Sequence, residues 1–203
     1  MTIQVGDRIP TTQLVKVTEA GPEQIGSDEY FAGRKVALFS VPGAFTPTCS
    51  AKHLPGFVEK ADEIMAKGID EIACTAVNDA FVMGAWGKAS GVDDKVTMLA
   101  DGNGTFAKAV GLEMDGSGFG LGQRGQRYSV VVNDGVVEQL NVEAPGAFEA
   151  RVADPRHREE ELTGEIGCRI HARSTYRFGF GSVTLENVID RANWCANLKR
   201  RVR

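Results

Sequence analysis

Nowhere does the 203-residue chain approach the roughly 18 consecutive apolar residues that a membrane span requires, so no membrane partner is read from it. Cysteine is scarce. Cys49, Cys74, Cys168 and Cys195 are too few and too far apart for a disulfide-stapled scaffold, which leaves catalysis, metal binding or apolar filling as their uses. No Cys-x-x-Cys pair occurs, and there is no internal repeat or low-complexity tract. The opening residues, MTIQVGDRIP, have neither a basic flank nor an apolar stretch, and this reads as a cytoplasmic protein without a secretory signal. A broad basic surface is also missing. Residues 1–150 hold twelve Lys and Arg against twenty Asp and Glu, and only residues 151–203 reverse the sign, with eleven against seven. The acidic body excludes a nucleic-acid binder, and the Arg-rich tail supports at most a weak electrostatic contact.

What is present is the composition of one globular domain, 42% apolar and 25% charged. The first clear strand is Val36–Val41, whose nearly continuous apolar run predicts cover on both faces. After the turn-like PGAFTPTCS, residues 50–68 show helical spacing through Phe57, Ala61, Ile64 and Met65. Gly68 is the terminator, and Pro55 calls for a kink or break. A strand over Ile69–Asn78, a helix over 79–90 ending near Gly91, a strand in KVTMLA and a short helix in FAKAVGLEM follow. Four glycines in 118–127 predict a loop, and RYSVVVNDGVVEQLNV predicts a hairpin about Asn-Asp-Gly. This order gives an α/β fold, a central mixed sheet flanked by helices. Beyond about Val152 the pattern lapses, apart from a helix over Leu185–Leu198.

The segment Pro42-Gly43-Ala44-Phe45-Thr46-Pro47-Thr48-Cys49 carries the chemistry. A cysteine in the first turn of a helix meets unpaired N–H groups and the positive end of the dipole, both of which favour a thiolate. Thr46 can offer a hydroxyl to an attacked oxygen, while Pro42 and Pro47 restrict the loop and remove donors. By spacing alone Cys49 reads equally as a nucleophile or as an inert buried thiol. His53, four residues on, suits a base for a Cys-His hydrolase, although a surface or helix-capping role explains it more simply. Cys168-x-x-His171, with Cys195 and His157, is too weak a set to support zinc. The alternation of Tyr176, Phe178 and Phe180 with Arg173 and Arg177 fits a strand better than a nucleic-acid patch.

GRKVALFSVPGAFTPTCSAKHLPGF closely resembles the peroxiredoxins, specifically the Prx5-like or type II branch, with Pro-x-x-x-Thr-x-x-Cys falling on Pro42, Thr46 and Cys49. The resemblance continues in Ala76–Lys88, Leu99–Asp115 and Gly125–Val137 and covers about residues 3–150. It implies a thioredoxin fold over residues 1–155, an atypical extension over 156–203, and reduction of hydrogen peroxide or organic hydroperoxides through a sulfenic acid on Cys49. Thr46 would bond the peroxide, Pro42 would shield the pocket, and Arg127 would be the active-site arginine. By unaided spacing Arg127 is an ordinary surface charge, and Arg124 stays outside the core site. Cys74 corresponds to a second cysteine that resolves the oxidised form in some members, but it reads equally as a buried strand thiol. The resemblance further implies a homodimer and an external reductant, glutathione with or without glutaredoxin first and thioredoxin second. No metal, flavin or haem is needed, because the sulfur carries the oxidation state. A thiol-based redox sensor or chaperone with little turnover is the remaining alternative.

Overall fold

The computed structural model describes residues 1–143. Seven strands form one mixed sheet in the order β2-β1-β5-β4-β3-β8-β9. In chain order these are β1 (Gln13–Thr18), β2 (Gly21–Gly26), β3 (Lys35–Ser40), β4 (Glu71–Ala76), β5 (Thr97–Ala100), β8 (Tyr128–Asn133) and β9 (Val136–Val142). β3, β4 and β5 run parallel, and the outer strands pair antiparallel to them or to one another. The anticipated α/β thioredoxin fold is the one observed.

Alternation along β3 explains why the sheet is covered twice. Ala37 and Phe39 enter one apolar cluster, with Phe57 of helix α2 (Leu54–Glu59), Ile64 of α3 (Ala61–Met65) and Trp86 of α4 (Ala80–Ala89). Val36 and Leu38 enter the opposite cluster, with Tyr30 and Phe31 of α1 (Ser27–Phe31) and Phe106 of α5 (Thr105–Ala109). A strand buried on both faces must be apolar at every position, which is the run seen in the sequence. Phe39 and Phe57 stack with centroids 3.8 Å apart, and each such buried ring stabilises the fold by about 2–3 kcal/mol.

Several elements differ from the expectation. The single helix over 50–68 is three pieces: a π turn at Cys49–His53, then α2, then α3 after a break at Lys60. The irregularity that Pro55 called for is the π turn itself, which runs directly into α2 and leaves the proline, with its missing N–H, just after the widened turn. The helix in FAKAVGLEM stops at Ala109, since Gly111 takes φ +69° with Met1 and Thr2 against it. Glu113–Asp115 is instead a strand, β6, paired with β7 (Gln123–Gly125) inside the segment expected to be loop. The β1–β2 hairpin and α1 had no counterpart in the sequence reading. The predicted β8–β9 hairpin is present, with Asp134 and Gly135 both at positive φ in its two-residue turn. The helix expected over 185–198, the extension 156–203 and the zinc and Arg-aromatic candidates lie outside the described residues.

Candidate active site

β3 delivers the chain to the site and ends where its ladder continues as a Val41 N–H donated to the Thr75 carbonyl, at 3.1 Å. Half-buried Pro42 follows and offers no further N–H. The loop beyond is held from outside by the Ala44 N–H donating to Asn78 Oδ1 (3.0 Å) and from within by the Thr46 hydroxyl donating to the Gly43 carbonyl (2.9 Å). With its proton used this way, Thr46 presents only lone pairs to a ligand. Phe45, a non-glycine residue at φ +59°, has its ring 56% exposed. Such a conformation costs on the order of 1 kcal/mol and persists only where the surroundings hold it.

Cys49 opens the π turn and is fully buried. The turn closes through the Leu54 N–H to the Cys49 carbonyl, and the Trp86 indole N–H anchors it to α4 by donating to Ser50 Oγ at 2.9 Å. Arg127 arrives from the start of β8, next to β3 in the sheet. Its Nη2 donates to Cys49 Sγ at 3.4 Å, its Nη1 lies 2.8 Å from His53 Nδ1, and its Nε lies 3.4 Å from a Glu143 carboxylate oxygen. A guanidinium has donors only, so His53 Nδ1 is the acceptor and the ring proton sits on Nε2.

The structure thus brings Cys49 and Arg127 together as the resemblance implied, and Arg127 is no free surface charge, with its side chain 12% exposed. His53 is a correction. It is buried, 3% exposed, against Phe39 and Phe57, and so neither a surface nor a capping residue. Burial first, and the Arg127 charge second, pull its imidazole down to about 3, leaving it neutral with its acceptor nitrogen engaged. That is a poor general base for a hydrolase. Arg124 is tied to backbone, Nη1 to the Val77 carbonyl (2.7 Å) and Nε to the Leu121 carbonyl (2.8 Å), and helps clamp the 77–79 turn beside the loop.

Cys74 sits in the middle of β4, fully buried in the same apolar cluster as Cys49. Both are free thiols. Burial, and then the charge of Cys49, push the Cys74 thiol well above its ordinary value. Among the described residues no group of three or more His, Cys, Asp or Glu could hold a metal ion, and no helix is long and apolar enough to cross a membrane.

The redoxin family profile matches residues 4–154. The chain belongs to the peroxiredoxins. It is 52% identical over 158 residues to peroxiredoxin-2E-2, chloroplastic, of Oryza sativa, covering 75% of this chain and 70% of that one. It is 50% identical over 150 residues to peroxiredoxin-2E, chloroplastic, of Arabidopsis thaliana, covering 72% of this chain and 64% of that one. Among solved structures, reduced Prx3 of Vibrio vulnificus in complex with hydrogen peroxide is similar at 53% identity, with a TM-score of 0.70 over 73% of this chain and 92% of that one. Within the peroxiredoxins the relatives are of the type II branch, and the chain is a thiol peroxidase. The cytoplasmic placement is overturned, because the two plant relatives are chloroplastic proteins. The opening residues of a chain are not sufficient ground for an address.

Two residues of this site escaped the sequence reading. Glu143 gave no signal, since it lies near the end of the recognisable pattern. His53 was weighed as a base but given a surface or helix-capping role, although the apolar residues at 54 and 57 were already a sign of a buried turn.

Proposed function

We propose that Cys49 is the peroxidatic cysteine and that the reaction passes through its sulfenic acid. The observation that carries the reading is the Arg127 Nη2 donor 3.4 Å from Cys49 Sγ, where the chain enters a helical turn from the Pro42–Thr46 loop. The Cys49 thiolate attacks one oxygen of hydrogen peroxide or an alkyl hydroperoxide. The S–O bond forms as the O–O bond breaks, leaving Cys49 as S–OH. The departing oxygen takes the electron pair and a proton and leaves as water or alcohol. Arg127, whose donors stay in one plane and carry a full charge, stabilises negative charge as it moves from sulfur to the departing oxygen. Thr46 accepts the hydrogen bond of the peroxide O–H, the role left to it by its bond to Gly43. Pro42 keeps water from one wall.

Glutathione, with or without glutaredoxin, returns the enzyme to its thiol, and thioredoxin is the second candidate reductant. One glutathione thiolate displaces the sulfenic oxygen as water to give a mixed disulfide, and a second thiol releases Cys49 and oxidised glutathione. The type II relatives support this assignment. Cys74 is a weak candidate for resolving Cys49, because its thiol is held protonated inside β4 and only the thiolate attacks. If it does resolve, peptide mapping of the oxidised protein will find a Cys49–Cys74 disulfide; a mixed disulfide with glutathione alone is expected. Residues 1–155 form the catalytic domain, in keeping with the family match ending at 154, and 156–203 an extension to it. A homodimer is supported by exposed Phe45, Phe81 and Phe119, which stand on the loop, on α4 and beside the 121–124 segment, three regions that Asn78 and Arg124 tie together.

The test is stopped-flow oxidation of the reduced protein by hydrogen peroxide, followed by glutathione plus glutaredoxin. Fast oxidation that is lost in Cys49→Ser, with turnover on adding reductant, is expected. Oxidation no faster than that of an ordinary thiol sinks the reading in favour of a sensor. Rapid oxidation with turnover only on adding thioredoxin reassigns the reductant.

A further inference from the structure

Arg127 can act on the peroxide only if its fork stays in the plane that holds Nη2 toward Cys49 Sγ. A guanidinium at the end of a flexible stem does not choose that plane by itself, since an Arg side chain carries about 2 kcal/mol of rotamer entropy. Contacts on its other nitrogens remove the freedom: a Glu143 carboxylate oxygen stands 3.4 Å from Nε, and a closer partner holds Nη1. That partner is His53, whose Nδ1 accepts from Nη1 at 2.8 Å while Nη2 of the same group faces the sulfur at 3.4 Å. The imidazole itself packs beside the stacked Phe39 and Phe57 rings, at ring-centroid distances of 5.1 and 5.5 Å. Cys49 and His53 are the two ends of one π turn, so the nucleophile and the group that aims its electrostatic partner are set by a single local backbone geometry.

We propose that His53 is a positioning residue of the peroxidase reaction: its neutral imidazole holds the Arg127 guanidinium against Cys49 Sγ and contributes no proton transfer of its own. Neutrality is required, because a protonated ring would present N–H to N–H and push the fork away. Burial against two phenylalanines supplies the low-dielectric surroundings that keep the ring neutral.

The proposal rests on the assignment of Cys49 and Arg127 above, and its test separates the two. Second-order oxidation by hydrogen peroxide is measured for the full chain and for His53→Phe, which keeps an aromatic ring and removes the acceptor. His53→Asn is measured beside it, because the Asn carbonyl reaches the place of Nδ1. A misaligned donor costs on the order of 10- to 100-fold in rate, and that loss is expected in the Phe variant with recovery in the Asn variant. In an Arg127→Gln background the His53→Phe change is expected to add no further loss, as for two residues acting through one contact. Equal rates in the Phe variant and the wild type, or equal losses with and without Arg127, overturn the proposal. An Arg127→Gln variant as fast as the wild type overturns the site assignment instead. Should His53→Phe fail to fold, His53→Asn is compared with His53→Gln, whose carbonyl lies at the Nε2 position. Asn faster than Gln supports the proposal, and the two being equal defeats it.

Discussion

Arg127 meets a sulfur, an imidazole and a carboxylate with one planar group, so the cost of losing it exceeds that of one hydrogen bond. In Arg127→Gln the oxidation rate is expected to fall on the order of 10²–10³-fold, the usual loss for an oxyanion donor, and stopped-flow fluorescence reads it directly. His53 has a consequence for acid stability as well. Its folded value of about 3 lies below the ordinary 6.5, so between these values the unfolded chain binds the proton that the folded one refuses. This contribution is absent above pH 6.5 as a variable and turns against the fold as pH drops from there toward 3. Urea titrations of the wild type are expected to lose stability across that window more steeply than those of His53→Asn, and parallel curves would count against a neutral buried imidazole. The presence of the cysteine, threonine and proline was legible in the chain because all three lie within eight residues. Arg127 was legible only through resemblance, since 78 residues separate it from Cys49.

At the scale of elements, placement of the site depends on how helices begin and strands end. Asp79 starts α4 by accepting from the Val82 N–H at 2.9 Å, directly beside the Asn78 that holds the Ala44 amide. Asp79→Ala is expected to cost about 1 kcal/mol, the ordinary worth of such a cap. The corresponding fall in melting temperature is roughly 2–4 °C for a domain of this size and is measurable by calorimetry. Long periodic elements were readable in advance because burial on both faces or at one stripe dictates residue type at every position, as in β3 and α4. The short ones were not. β2 is Gly-Pro-Glu-Gln-Ile-Gly, a poor strand by composition, and it exists because β1 offers it a ladder from Gln13↔Gly26 to Thr18↔Gly21. The π turn at Cys49 likewise has no signature in residue type; packing against Trp86 through Ser50 accompanies it.

For the whole molecule, three large exposed rings near the site loop are costly to leave in water, which is the physical case for the proposed dimer. Phe119 is 86% exposed, so replacing it removes little packing within the described residues. Phe119→Asp is expected to shift sedimentation from dimer to monomer with the peroxide-oxidation rate of Cys49 retained, whereas an unchanged sedimentation coefficient would place the interface elsewhere. The sequence alone determined what is local: the cysteine in its strand-to-helix loop, the alternation that orders sheet and helices, and the Asp-Gly turn of the last hairpin. These follow from patterns a few residues long, where backbone sterics and burial leave little choice. Only the tertiary structure decided which distant groups surround the sulfur. Bringing β8 beside β3 and burying His53 behind both converted an ordinary arginine and an ordinary histidine into a directed donor and its neutral brace. That outcome depends on through-space distance and desolvation, which no stretch of the chain records by itself.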